Sequence, residues 1–131
     1  MALLDSTFLI DLMRGRDRAV NLLEQLDKNG EPLVVSTVTL MELQRGVAAL
    51  GLAPEEQRRI VDVVQSRVVQ PLDAPAALRA GEIDAALWAR GEPIDPEEAM
   101  IAGTALTLDQ ELVARSGRGY GRVPGLRLRT Y

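Results

Sequence analysis

A three-layer α/β/α sandwich around a mostly parallel sheet is the fold that this sequence predicts, and three observations predict it. Short apolar runs of strand length recur at Ala2–Asp5, Leu33–Val35, Val68–Val69, Glu111–Ala114 and Leu126–Arg129. Stretches with helical spacing lie between the first four of these runs, and alternation of that kind builds parallel sheets. The chain has 131 residues, one domain's worth, and its 47% hydrophobic content supplies a core while its 26% charged content argues against disorder.

Each element has a local reason. Ala2–Asp5 is a short apolar run ending in an acid, as a buried strand would be. Ser6 or Thr7 can cap a following helix that runs through Leu12 and stops at Gly15. From Asp17 to Asn29, apolar residues at Val20, Leu23 and Leu26 mark a second helix, with Asn29-Gly30 as its stop. Pro32 introduces the β-branched strand Leu33-Val34-Val35. Thr37 or Thr39 opens a helix with Leu40, Leu43 and Val47 on one face, ending near Gly51. Pro54 belongs in the first turn of the next helix, where Glu55 and Glu56 favour its positive end, and that helix reaches about Ser66. After Val68-Val69, Asp73 and Pro75 open a long helix to Arg90, stopped by Gly91. Asp95-Pro96-Glu97-Glu98 is another acid-rich helix start, continuing to Leu108. Trp88 and its aliphatic helix read as core or dimer face rather than as a base-stacking platform.

Composition narrows the chemistry. The chain has no cysteine and no histidine, which removes thiolate chemistry, zinc–sulfur sites and the commonest general base. Hydrolysis would have to come from carboxylates, hydroxyls, lysine, arginine or a hard metal ion. The net charge of −4 is unlike that of a typical nucleic-acid binder. The cations are nonetheless arginines, save Lys28, and arginine suits bidentate phosphate contacts. No apolar stretch approaches the roughly 18 residues that span a bilayer, and the expectation is a cytoplasmic protein.

In parallel sheets of this kind, ligands bind beyond the carboxyl ends of the strands. Asp5 ends the first strand and Ser116 follows the fourth, so both belong on that edge. Structural roles stand beside functional ones: Asp5 could cap the following helix, and Glu42 could face solvent. Glu97 and Glu98 suit the positive end of a helix in any case. Asp95 before Pro96 reads as an N-cap with proline at the first helical position, and Ser116 reads as a loop residue.

Three segments in order carry a resemblance: Leu3-Leu4-Asp5-Ser6-Thr7, Thr39-Leu40-Met41-Glu42-Leu43-Gln44-Arg45-Gly46, and Pro93-Ile94-Asp95-Pro96-Glu97-Glu98 running on to Ala105. Together they resemble PIN-domain ribonucleases, especially the VapC-type toxins of type II toxin–antitoxin systems, over nearly the whole chain. Arg122-Val123-Pro124-Gly125-Leu126 is similar to the family's closing segment. The resemblance implies an endoribonuclease whose acids hold Mg2+ or Mn2+ and hydrolyse RNA phosphodiesters through a metal-activated water, leaving 5′-phosphate and 3′-hydroxyl ends. The family's first acid maps to Asp5, its helical glutamate to Glu42, and the acid before the Ala-x-Ile-Ala stretch to Glu98. Asp5, Glu42 and Glu98 are thus the expected catalytic and metal-binding residues. Thr7 matches the small hydroxyl residue two positions after the first acid. Most relatives have aspartate at Glu98, and Ser116 stands where the family has aspartate or asparagine, leaving one or two metals open. Ser116 and Asp95 are weaker candidates. A VapB-type antitoxin and a homodimer are also implied.

The chemistry agrees with the residue types. Magnesium takes oxygen ligands and keeps several waters, so converging carboxylates with substrate phosphate can complete its shell without histidine. Arginines cluster at Arg14, Arg16 and Arg18, and again at Arg115, Arg118 and Arg122. Arg115 and Arg118 suit RNA phosphate or, equally, an acidic antitoxin segment. Two rivals remain: a catalytically impaired PIN-like module that binds RNA or protein, and a receiver-like regulatory domain phosphorylated at Asp5. The second lacks an acidic pair beside Asp5 and a placed lysine.

Overall fold

The computed structural model describes residues 1–49, 51 and 54–131. Its five strands are β1 (Ala2–Leu4), β2 (Leu33–Ser36), β3 (Val68–Gln70), β4 (Glu111–Val113) and β5 (Leu128–Arg129). The six α-helices are α1 (Ser6–Met13), α2 (Asp17–Lys28), α3 (Thr37–Ala49), α4 (Pro54–Ser66), α5 (Ala74–Ala89) and α6 (Pro96–Thr107). The strands lie in the order β3-β2-β1-β4-β5 and every pairing is parallel, a stricter outcome than the mostly parallel sheet expected.

Alternation along the central strands explains the three layers. Leu3, Val34 and Leu112 face one way, onto Ala80, Ile83 and Leu87 of α5 and Ile101, Ala102 and Ala105 of α6. Ala2, Leu4, Leu33, Val35 and Val113 face the other way, onto Phe8 and Leu9 of α1, Leu22 and Leu26 of α2, Leu43 of α3 and Ile60 of α4. Close approach of α5 and α6 depends on Gly103, where an added Cβ would stand 2.8 Å from the Ala76 carbonyl and 2.9 Å from the Ala80 amide nitrogen.

The chain builds β1, β2 and β3 outward in one direction and then returns to place β4 on the opposite side of β1. The carboxyl ends of β1 and β4 therefore flank the point where strand order reverses, the crevice that open α/β sheets offer to ligands. Asp5 accompanies this edge, its amide donating to the Val113 carbonyl at 2.9 Å.

Local expectations fare unevenly. The cap of α5 is Asp73, whose carboxylate accepts the Ala76 amide, and Gly91 closes that helix with φ +71°. Of the caps offered for α1, Asp5 takes the position and Ser6 and Thr7 do not, with Oδ2 accepting the Thr7 amide at 3.3 Å. Asp95 occupies the N-cap position before Pro96, yet its side chain makes no capping hydrogen bond. Trp88 is 75% exposed and does not enter the core, which takes its neighbour Leu87 instead. β1, β4 and β5 are shorter than their apolar runs, whereas β2 and β3 each extend one residue further, to Ser36 and Gln70. The stop expected near Gly51 borders Leu50, Leu52 and Ala53, which lie outside the described residues.

Candidate active site

A pocket of about 300 Å3 opens at the β1/β4 edge, and the four acids named as metal-site candidates line it: Asp5, Glu42, Asp95 and Glu98. Thr7, Arg115, Ser116 and Arg118 line it as well. Asp5 comes from the end of β1, Glu42 from α3, Glu98 from the first turn of α6, and the last three from the loop after β4.

Asp5 is 3% exposed and held from both oxygens. The Thr7 hydroxyl donates to Oδ2 at 2.7 Å, and the Tyr120 hydroxyl donates to Oδ1 at 2.7 Å. Thr7 Oγ1 also accepts the Arg115 amide at 3.1 Å, so one hydroxyl ties the β4 loop to the acid at the end of β1. Burial, with the charges of Asp5, Glu98 and Glu42 around it, pushes the Tyr120 phenol far above its ordinary value, and the group stays a protonated donor.

Glu42 accepts a hydrogen bond from the Ser6 hydroxyl at 3.2 Å. Burial raises its carboxyl above the ordinary glutamate value and the charge of Asp5 raises it further, against the Ser6 bond and Arg45. Arg45 sits at the rim between α3 and α6, 3.9 Å from Glu42 and 3.3 Å from Glu97. The Glu98 carboxyl is raised chiefly by burial, and the charges of Asp95 and Asp5 add to this while the Asp95 backbone amide and Arg122 oppose it. Glu98 stands in the first turn of α6, where the helix's positive end favours its charge, and lines the pocket at once. Its carboxylate lies against Gly119, where an added Cβ would stand 2.3 Å from Oε2.

Sequence reasoning missed three contributors. Tyr120 is not singled out by the sequence, although its hydroxyl reaches Asp5 across 115 positions. Asp11, 6% exposed, receives two bonds from Arg115, at 2.8 Å from Nε and 2.7 Å from Nη2. Arg115 lowers the Asp11 carboxyl below its ordinary value, aided by the Tyr131 hydroxyl. Gly119 gave no signal beyond its place in a glycine-rich loop. An acid inside the apolar stretch Phe8–Leu12 was the one visible hint, because a buried carboxylate demands a partner.

The donor set suits a hard divalent cation. Four carboxylates face two guanidiniums across the pocket, and Glu42 and Glu98 carry charge that burial disfavours. Among the described residues no three carboxylates stand close enough to form one inner shell. Such a site fits an ion held directly by one or two carboxylates and otherwise by water, which is how magnesium is commonly bound.

The model of the PIN domain matches residues 2–126. The chain is 34% identical over 114 residues to the tRNA(fMet)-specific endonuclease VapC of Salmonella typhimurium, covering 86% of each protein. It is also 34% identical over 126 residues to the protein of the same name from Shigella flexneri, covering 95% of this chain and 93% of that one. Among solved structures it resembles a chain of VapBC2 from Rickettsia felis bound to a DNA fragment from their promoter, with TM-score 0.88, 26% identity and coverage of 99% and 98%. The strand order, the acids gathered where it reverses, and these likenesses agree: the chain belongs to the PIN-domain family, among its VapC-type toxin–antitoxin ribonucleases.

Proposed function

We propose that this protein is a divalent-cation-dependent endoribonuclease, the toxin of a type II toxin–antitoxin pair, hydrolysing RNA phosphodiesters in the carboxylate pocket. One observation carries the reading: Asp5, Glu42 and Glu98, far apart in sequence, line one pocket at the switch point of the sheet. In this reading one or two of Asp5, Glu98 and Glu42 hold Mg2+ or Mn2+ directly, and the rest of that set, with Asp95 and Ser116, are reached through water. The bound ion supplies Lewis-acid chemistry, making a water acidic and offsetting charge on the phosphoryl oxygens. The protein's own part is positional. Thr7 and Tyr120 fix the Asp5 carboxylate, and Arg118, which makes no ion pair among the described residues, is free for phosphate.

An antitoxin of the VapB type is the expected protein partner, since solved relatives are VapBC complexes. An apolar groove of about 350 Å3 beside α1, α3 and α4, lined by Ile10, Met13, Leu43, Val47 and Ile60, is suited to receive it. Glu42 lines both this groove and the carboxylate pocket, so a segment lying there would reach the acids. Leu78 and Trp88, 72% and 75% exposed on α5, offer apolar surface to a homodimer.

The test is cleavage of single-stranded RNA by purified protein with magnesium, manganese or chelator. Cleavage that needs the ion and disappears in Asp5→Asn supports the proposal. The lack of a three-carboxylate shell among the described residues favours a second reading, a PIN-like binding module without catalysis. Under that reading no ion produces cleavage, and Asp5→Asn binds RNA as the parent protein does.

A further inference from the structure

The ion pairs of this protein leave an uneven remainder. Among the described residues six arginines enter none of them, Arg14, Arg16, Arg18, Arg58, Arg118 and Arg122, whereas Arg45, Arg59, Arg67, Arg79, Arg90, Arg115, Arg127 and Arg129 are all paired. Three of these six, Arg14, Arg16 and Arg18, line a single pocket of about 450 Å3, and Arg115 lines it with them. Two acids also line it. Asp11 is already bound by Arg115 and by the Tyr131 hydroxyl, and Asp17 sits in the first turn of α2, where it offsets the helix's positive end. In a chain of net charge −4, this is a local concentration of unneutralised positive charge.

Its placement matters as much as its sign. Arg115 lines both this pocket and the carboxylate pocket, so the two are neighbours across one side chain. The backbone that carries the cluster is fixed. The Arg14 amide donates to the Ile10 carbonyl at 3.0 Å and the Arg16 amide to the Asp11 carbonyl at 2.9 Å. Arg16 is also the N-cap of α2 and makes no side-chain capping bond, which leaves the first amides of that helix without a capping side chain. No aliphatic residue lines the pocket; beside the charged residues stands Tyr131, whose hydroxyl is bound to Asp11.

We propose that Arg14, Arg16 and Arg18 form a phosphate subsite that holds the backbone of single-stranded RNA beyond the phosphodiester at the carboxylate pocket. The choice of RNA as the polyanion rests on the nuclease reading above; the anion subsite itself rests on the cluster. Each guanidinium that neutralises a phosphate of single-stranded nucleic acid contributes about 0.7 to the slope of log affinity against log salt. Three contacts contribute about 2, which at about 0.1 M salt corresponds to roughly 100-fold in affinity.

The experiment titrates a labelled single-stranded RNA with the cleavage-suppressed Asp5→Asn protein at several salt concentrations. Adding Arg14→Ala, Arg16→Ala and Arg18→Ala should weaken binding by roughly 100-fold and flatten the salt slope by about 2. Lysine at the same three positions should keep the slope, and Arg16→Ala alone should flatten it by about 0.7, so the proposal stays testable if the triple variant folds poorly. A control removing Arg79, Arg90 and Arg127 deletes the same charge elsewhere and should leave the slope unchanged. An unchanged slope in the Arg14, Arg16 and Arg18 variant overturns the proposal, as does an equal loss in the control. Loss of binding to hexaglutamate with RNA affinity intact also overturns it, making the pocket a site for acidic peptide. Absence of ion-dependent cleavage by the parent protein, with the slope change present, removes the nuclease reading and leaves the subsite standing.

Discussion

Replacing Gly119 by alanine would test the carboxylate pocket with a single methyl group. The backbone there is helical, φ −73° and ψ −49°, so any L residue can adopt it without strain. The obstacle is steric and specific: the new Cβ would lie 2.3 Å from Glu98 Oε2 and 2.9 Å from its Cδ. A tolerable carbon–oxygen contact is about 3.3 Å, so the carboxylate must withdraw by about 1 Å. Because it is the end of a flexible side chain, withdrawal costs a rotamer adjustment of about 0.5–1.5 kcal/mol and not a backbone shift. A displacement of about 1 Å in a reacting group can cost about 100-fold in rate. The expected result is a kcat/KM for magnesium-dependent RNA cleavage lowered by about 100-fold, with unfolding free energy in urea within about 1.5 kcal/mol of the parent. Full activity in Gly119→Ala would remove Glu98 from the chemistry. A stability loss above about 3 kcal/mol would refute the steric argument itself.

Gly103→Ala makes the instructive contrast, because its Cβ meets the backbone of α5 and nothing flexible can yield; overpacking of about 1–3 kcal/mol should appear in urea unfolding. Glu42 and Glu98 both bind their protons more tightly folded than unfolded, so stability without metal should fall as pH rises from the ordinary value of 4.5 through their raised values. Glu42→Gln should flatten that decline in thermal melts, and magnesium should restore stability to the parent at neutral pH. Asp11 runs the opposite way: lowered by Arg115, it contributes stability above its ordinary value of 3.8 that is lost as pH falls through the lowered one. Arg115→Ala should therefore cost about 1–2 kcal/mol at neutral pH, a figure reduced for the partly exposed guanidinium, and the variant and parent should converge in acid.

Element types and most boundaries were legible because their causes are local. Val34-Val35 favours extended backbone, Asp73 offers an oxygen to the Ala76 amide three residues on, and Gly91 accepts a left-handed conformation that other residues resist. The same local logic left three solutions open at α1, since Asp5, Ser6 and Thr7 could each cap it, and the tertiary contacts of Asp5 select it.

The pocket was legible in part. The acids Asp5, Glu42 and Glu98 could be singled out because three segments in order resemble one family, and all three line one cavity. Sequence by itself determined the helices and strands, the absence of histidine and cysteine chemistry, and which carboxylates were available. Only the tertiary structure decided that β4 returns beside β1, which brings Arg115 to Thr7 and Asp11 and Tyr120 to Asp5, and that Asp95 faces the pocket without capping its helix. The reason is range: propensity and capping act within a turn of chain, whereas strand order and the pairing of buried charge are set by residues more than a hundred positions apart.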